Sequence, residues 1–302
     1  FISALNDALT RRVLQLNLEN HNFDGIEWCW LAFGSEGRDE QTFVTDQDNG
    51  IVFACDDIAA VDSLRQRFLT FALDVNKDLD RCGFTLCKGN IMASNPQWCL
   101  SLDEWKEQFS QWIRVPQPEA LLNATIFFDF RTLFGKAELA EAMRRHLLMQ
   151  TSSNPMFLRC MAQNALDVEP PLGKIRDFLT DLEPDQPGKI DLKKYGSRIF
   201  VDVARIYALA AGVHNTNSVQ RLRIAAKRLS IRDEEINAVL EGLDFIQLLR
   251  LRHQYLEGEP GRQGDNLINP DNLNELDRRI LKESFRQARK IQTRLKLDYQ
   301  VH

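Results

Sequence analysis

The sequence lacks any long uninterrupted run of apolar residues, and it has no excess of positive charge. Among its longest apolar stretches, residues 199–213 are interrupted by Asp202 and Arg205. No segment reaches the ~20 apolar residues that a membrane-spanning helix needs, so a membrane is not expected as a partner. Lys and Arg total 38 against 43 Asp and Glu, for a net charge of -5. Because nucleic-acid binders usually carry a basic excess, this balance argues against nucleic acid as a partner.

Cysteines are few, and their spacing is not that of a zinc site or a disulfide framework. The chain has 6 cysteines, and no C-x-x-C pair occurs among them. Most lie inside apolar runs, where a small buried thiol is the usual state. This pattern predicts a reduced, cytoplasmic protein. The chain begins at Phe1 rather than Met, which predicts that it is a piece of a longer protein.

The order of apolar patterns divides the chain into two halves. The first is expected to contain, in order, a helix over residues 1–20, strands over 26–33 and 49–55, a helix over 57–81, a strand over 84–92 and a helix over 102–112. From about residue 135 onward only helical patterns are found, with helices predicted over 195–211, 218–229, 232–256 and 273–297. We therefore expect an α+β domain over 1–145 and a helical bundle over 146–302.

The most informative segment is residues 31–53, which read LAFGSEGRDEQTFVTDQDNGIVF. Gly34 follows an apolar strand and opens a polar run that can form a helix. Ser35 and the amides after it are therefore expected at a helix N-terminus, where phosphate oxygens are favoured. Arg38, about one helical turn further on, offers a planar fork of donors to the same anion.

Two aspartates follow at the start of the next predicted strand. Asp46 and Asp48 are two residues apart, so the period of a strand places both carboxylates on one face. Carboxylate oxygens suit Mg²⁺, which keeps its other positions for water and substrate phosphates. Taken singly, a Gly-Ser helix cap and an aspartate-rich turn are the simpler interpretations. Found together in the order strand, Gly-Ser, helix, Asp-x-Asp and strand, they are more specific than either alone.

This combination resembles the nucleotidyltransferase superfamily that includes DNA polymerase beta and kanamycin nucleotidyltransferase. Residues 34–53, GSEGRDEQTFVTDQDNGIVF, are similar to the nucleotidyltransferase domain of unknown function 294 (DUF294), a relative of the domains that modify PII protein and glutamine synthetase. Further stretches resemble later blocks of the family, at residues 90–98, 127–135, 188–209 and 265–292. The last two fall in what is called its substrate-binding domain. The resemblance covers nearly the whole chain and implies a polymerase-beta-like mixed sheet with helices, followed by an all-α bundle.

The resemblance also implies an activity and assigns roles to residues. The activity is transfer of a nucleoside monophosphate from a nucleoside triphosphate to a hydroxyl of an acceptor, with pyrophosphate leaving. Gly34 and Ser35 would hold the triphosphate, with Arg38 nearby. Asp46 and Asp48 would hold the catalytic Mg²⁺, or Mn²⁺ in its place. The acceptor, a protein or a small molecule, is not identified by the sequence.

The sequence departs from the active pattern at the third carboxylate, which active relatives carry on a later strand. The predicted strand over 84–92 contains Lys88 and Asn90 but no acid. Asn90 could be a weak oxygen ligand, and Lys88 could contact a phosphate. Asp129, in the block FFDFR, is a candidate replacement for the catalytic acid. Its alternative interpretation is a buried carboxylate paired with Arg131 or a neighbouring arginine.

The missing acid leaves a second function open. The same pocket would then bind a nucleotide without turnover, as a regulatory or signal-transduction module. Family relatives often carry regulatory domains ahead of this region, which would fit N-terminal regulatory domains in the full-length protein. A scaffold with a relic site is the third interpretation.

Overall fold

The chain folds into two compact units, Phe1–Thr151 and Ser152–His302. The structure is a computed structural model that describes residues 1–173, 178–180, 182, 185–257 and 265–301. The first unit contains α1 (Ile2–Leu18), β1 (Trp28–Ala32), α2 (Gly34–Gly37), β2 (Asn49–Phe53), α3 (Val61–Arg81), β3 (Cys99–Ser101), α4 (Leu102–Arg114), α5 (Pro118–Phe127), β4 (Arg131–Gly135) and α6 (Ala137–Ser152).

A mixed four-stranded sheet in the order β3-β2-β1-β4 organises the first unit. β1 pairs antiparallel with both β2 and β4, whereas β2 and β3 are parallel. Ala32 pairs with Asn49, and just beyond this pair the amide of Phe33 donates to the carbonyl of Asp48 at 2.9 Å. The end of β1 and the residue that precedes β2 therefore lie side by side.

Both central strands are buried on their two faces. Because side chains alternate along a strand, Trp30 and Ala32 point to one face and Leu31 to the other. The first face packs in a core cluster with apolar side chains of α1 and α3, including Phe71. On the other side, Phe33 contacts Trp105 of α4 and an aromatic residue of α5, with ring centroids 5.8 and 4.9 Å away. This packing on both faces anchors the chain immediately before α2.

Most predicted elements of the first unit are confirmed, but the strand expected over 84–92 is wrong. This segment is irregular, and its one bridge of the β type joins Thr85 to Asp46, which precedes β2. Its backbone turns at Asn90, whose φ is 55°, which a continuing strand does not allow. The sheet's third strand along the chain is Cys99–Ser101, which at 3 residues is too short to show a period.

In its described part, the second unit is built mainly of helices. Its elements are α7 (Pro155–Leu166), β5 (Ile190–Asp191), a π-helical turn (Lys193–Ser197), α8 (Arg198–Ala210), α9 (Ser218–Arg228), α10 (Asp233–Glu257), β6 (Leu267–Ile268) and α11 (Glu275–Asp298). α8 is buried from Ile199 to Leu209 and packs against α7, α9 and α11. The four predicted helices of this half are confirmed.

One small ladder interrupts the helical unit. β5 and β6 pair antiparallel, with Ile190 opposite Ile268. The expectation of helical patterns alone was wrong here, because strands of two residues leave no periodic signal. The overall class is confirmed as an α+β domain followed by a helical domain. Among the described residues, no helix is both long and apolar enough to cross a membrane.

Candidate nucleotide and metal site

The turn between β1 and α2 places a glycine directly against an aspartate. Gly34 adopts a φ of 55°, the left-handed conformation that glycine accepts at little cost. A Cβ added to it would lie 3.2 Å from Oδ2 of Asp48. The Asp48 carboxylate therefore faces the backbone of the Gly-Ser turn. The turn itself is short, since α2 has only 4 residues, and Ser35 is its half-buried second residue.

Three potential metal ligands meet beside this turn. Carboxylate oxygens of Asp46 and Asp48 and the sulfur of Cys87 all lie within 4.8 Å of one another. Asp46 is exposed, whereas Asp48 and Cys87 are half-buried. The two carboxylates thus lie on the same side of the chain, as the Asp-x-Asp spacing predicts. Burial, together with the neighbouring Asp48 carboxylate, raises the pKa of the Cys87 thiol to about 11.

Backbone hydrogen bonds hold the irregular 84–92 segment against the aspartates. The amide of Gln47 donates to the carbonyl of Thr85 at 2.9 Å, and the amide of Asn49 donates to Ile91 at 3.1 Å. Gln47 and Asn49 flank Asp48, while Thr85 and Ile91 lie on either side of Cys87. The same two hydrogen bonds therefore keep Asp48 and Cys87 opposite each other.

Hydrogen bonds among buried side-chain amides reinforce this arrangement. Nδ2 of Asn76, in α3, donates to the side-chain oxygens of Gln47 at 2.7 Å and of Asn49 at 3.1 Å. Nε2 of Gln47 donates back to the carbonyls of Asn76 and Phe84, and Oδ1 of Asn49 accepts from the amide of Ala93. Because buried amides are costly to leave unpaired, this network ties the residues around Asp48 to α3 and to the 84–92 segment.

Two further residues proposed for the nucleotide lie at the tip of that segment. Lys88 and Asn90 are both exposed. The carbonyl of Asn90 accepts from Nε1 of Trp98 at 3.1 Å and from Nδ2 of Asn95 at 3.0 Å, which fixes the left-handed turn. The Lys88 side chain extends from a fixed turn into solvent, and its contact with a phosphate stays a prediction.

Arg38 and Asp129 are joined to each other. Nη1 of Arg38 lies 2.8 Å from Oδ2 of Asp129, and Nε lies 2.8 Å from Oε2 of Glu40. The Asp129 side chain is 0% exposed and that of Arg38 is 12% exposed. The pair matches the alternative interpretation of Asp129 as a buried carboxylate paired with an arginine. The arginine is Arg38 rather than Arg131. Burial and pairing favour a role for both residues in supporting α2 rather than in contacting substrate.

The backbone behind α2 explains why a second glycine occurs there. A Cβ on Gly37 would lie 1.9 Å from the carbonyl oxygen of Asp129 and 2.8 Å from that of Ala32. No side chain fits in that space. Gly37 therefore allows the backbone of α2 to pack directly against the backbone at Asp129. This close packing fixes the position of the Gly34 turn.

Glu36 is a buried acid near the site that the sequence patterns did not reveal. Burial raises its pKa to about 8, while Arg131 acts in the opposite direction. The carboxylates of Asp7 and Asp48 contribute to the raised value, after burial. Arg131 is itself held by Asp7 of α1, with Nη2 at 2.6 Å from Oδ1. A GSEG tetrapeptide does not indicate burial of its glutamate, because the partners come from α1 and β4.

The raised pKa of Glu36 predicts a pH dependence of stability. Its folded-state pKa of about 8 exceeds the ordinary glutamate pKa of 4.5, so the folded protein binds one more proton between these values. The free energy of unfolding should therefore fall with rising pH across this window, by about 1 kcal/mol per pH unit. Glu36→Gln should flatten that slope between pH 6 and 8, measured by urea unfolding at several pH values. An unchanged slope in the variant would contradict the assignment.

The fold and this geometry together define a nucleotidyltransferase-type domain, with a Gly-Ser turn facing an Asp-x-Asp pair across adjacent strands. Comparison with known families gives the same result. The model described as "Putative nucleotidyltransferase DUF294" matches residues 1–119, and the "Putative nucleotidyltransferase substrate binding domain" matches residues 155–299. The chain belongs to this DUF294 family. No curated protein matches the sequence.

Proposed function

We propose that this protein transfers a nucleoside monophosphate from a nucleoside triphosphate to a hydroxyl of an acceptor and releases pyrophosphate. The observation that supports it most directly is the closeness of the Asp48 carboxylate to the Gly34 turn. Oδ2 of Asp48 would lie 3.2 Å from a Cβ added to Gly34. An anion at the turn and a cation on Asp48 would be neighbours in this arrangement. Such a juxtaposition is what a metal-bound triphosphate requires.

The residues of the site divide the work as follows. The left-handed Gly34 lets the triphosphate approach the backbone, where the first amides of the turn have no acceptor within it. Ser35 adds a hydroxyl donor at the half-buried start of α2. Asp46 and Asp48 would hold Mg²⁺ or Mn²⁺, and their oxygens fit these hard cations. A divalent ion held by these carboxylates would neutralise charge that develops on the phosphorus and the leaving group.

The supporting residues keep this geometry fixed and exclude water from beneath it. The Arg38–Asp129 pair supports α2, and the hydrogen bonds of Asn76 hold Gln47 and Asn49 on either side of Asp48. Preorganised charges of this kind stabilise a transition state without further rearrangement. The Lys88 side chain, on an exposed turn beside Cys87, would contact the outer phosphates.

A second candidate function is a nucleotide-binding regulatory module without turnover. One observation favours it. The third group beside Asp46 and Asp48 is the thiol of Cys87, and the Asp129 carboxylate is buried in a pair with Arg38. No carboxylate of the fully described first unit completes the group that these two aspartates form with Cys87. An acceptor hydroxyl would then lack a carboxylate base.

Binding and pyrophosphate release, measured on the same samples, separate the two functions. The chain is incubated with Mg²⁺ and each labelled triphosphate of adenosine, guanosine, uridine and cytidine, with and without a protein extract as acceptor source. Binding accompanied by pyrophosphate release is expected for the transferase. Binding without release under every condition would favour the module. No binding of any triphosphate would reject both.

A further inference from the structure

A thiol lies in the segment where the resemblance to active relatives leads one to expect a third acidic ligand. Cys87 lies within 4.8 Å of both carboxylates, on the segment over 84–92 that contains no acid. Donor atoms that bind one ion at 2.0–2.3 Å lie at most about 4.6 Å apart. The three side chains thus need only a small closing movement to share a single ion.

The position of Cys87 is determined by the fold on both of its sides. The carbonyl of Thr85 accepts from Gln47, and the carbonyl of Ile91 accepts from Asn49. A further bond within the segment, from the amide of Asn90 to the carbonyl of Cys87 at 2.9 Å, closes the turn around the thiol. Because these bonds flank both Cys87 and Asp48, they keep the backbones of the two residues close together.

The mixed donor set has a defined preference among metal ions. Mg²⁺ takes oxygen ligands in a near-ideal octahedron and does not select sulfur. Thiolate sulfur favours borderline and softer ions, and affinity for mixed sites rises from Mn²⁺ towards Co²⁺ and Zn²⁺. We propose that Cys87 is the third protein ligand of the Asp46–Asp48 site, which therefore binds Co²⁺ or Zn²⁺ more tightly than Mg²⁺. On binding, the sulfur gives its proton to solvent and coordinates the ion as thiolate.

This inference rests on the proposed function in one respect, since it uses the same two aspartates. It adds a ligand and a metal preference that the activity itself does not require. Mg²⁺ can still be held by the two carboxylates and substrate phosphates without the sulfur. The inference therefore has to be tested by a signal from the sulfur itself rather than by turnover.

Cobalt titration supplies such a signal. Co²⁺ is added to the full chain under reducing conditions, and the near-ultraviolet thiolate-to-cobalt charge-transfer absorption is recorded. The wild type should develop this band with saturable binding, and Zn²⁺ should displace Co²⁺ where equal Mg²⁺ does not. Cys87→Ser should lose the band and bind Co²⁺ at least about tenfold more weakly, since outer-shell changes alone cost 10- to 100-fold.

Matched variants guard against other sources of the band. Cys82→Ser removes an exposed cysteine five positions away and should leave the band unchanged. Asp48→Asn should weaken cobalt binding and lower the band at a fixed cobalt concentration. Circular dichroism confirms that each variant is folded, and Cys87→Ala serves if the serine variant is not.

Several outcomes would overturn the assignment. They are failure of the wild type to bind Co²⁺, binding without the charge-transfer band, and a band that persists in Cys87→Ser. If the charge-transfer band forms but pyrophosphate is never released, Cys87 is confirmed as a metal ligand and the proposed transferase function is rejected. If pyrophosphate is released but no charge-transfer band forms, the transferase function is supported and Cys87 is rejected as a metal ligand.

Discussion

Asp48→Asn is expected to abolish the magnesium-dependent part of nucleotide binding and to lower pyrophosphate release on the order of 10²-fold or more. The reason is that the Asp48 carboxylate lies both beside Asp46 and against the Gly34 turn. The asparagine keeps the size of the side chain but removes the charge that a divalent ion needs. Triphosphate titrations with Mg²⁺ and with a chelator, followed calorimetrically, measure the magnesium-dependent difference.

A control separates this effect from a general change of charge. Asp56→Asn removes one charge at an exposed position just beyond the other end of β2 and should leave the magnesium-dependent affinity unchanged. The free energy of unfolding of Asp48→Asn should stay within about 1 kcal/mol of the wild-type value. The Asp48 side chain is only half-buried, and the charge that is lost disfavours ionisation of the neighbouring Glu36. If triphosphate binding by Asp48→Asn depends on Mg²⁺ as strongly as that of the wild type, the assignment of Asp48 to the metal site is wrong.

Asp129→Ala is expected to destabilise the first unit by about 3 kcal/mol. The substitution removes a fully buried carboxylate that lies 2.8 Å from the Arg38 guanidinium. Loss of one member of a buried pair is costly because the other charge has already been withdrawn from water. Urea unfolding followed by tryptophan fluorescence measures the change.

Two comparisons decide whether this effect belongs to the buried pair. Asp103→Ala removes the 91% exposed partner of Lys106, at 3.2 Å, and should cost less than about 1 kcal/mol. Arg38→Ala should cost less in the Asp129→Ala background than in the wild type, since contacting residues are coupled. Normal stability of Asp129→Ala together with a selective loss of pyrophosphate release would instead assign a catalytic role to Asp129.

The two aspartate positions differ in what each variant tests. Asp48 borders an open turn and interacts with Cys87, so its removal should be felt by ligands. Asp129 is enclosed beneath α2, so its removal should be felt by the fold. Measurement of both stability and nucleotide binding on both variants therefore distinguishes a site residue from a supporting one.

Local patterns were sufficient wherever a strand or helix buries a regular stripe. β1 and β2 were predicted within about two residues because apolar runs end at Gly34 and begin at Asn49. α3 and α4 were predicted for the same reason, with Phe68 and Trp105 at buried positions. The irregular segment over 84–92 was mistaken for a strand because its apolar residues pack against the core without forming a ladder.

By itself the sequence determined the class of the fold, the Gly-Ser turn and the Asp-x-Asp pair, because these depend on neighbours within about twenty residues and on adjacent strands. Only the tertiary structure decided the partners that come from far along the chain. It placed Arg38 on Asp129, 91 residues away, and it buried Glu36 beside residues of α1 and β4. It also brought Cys87 to the two aspartates. The physical reason is that hydrophobic periodicity encodes which face of an element is buried, but carries no record of which distant side chain will meet it there.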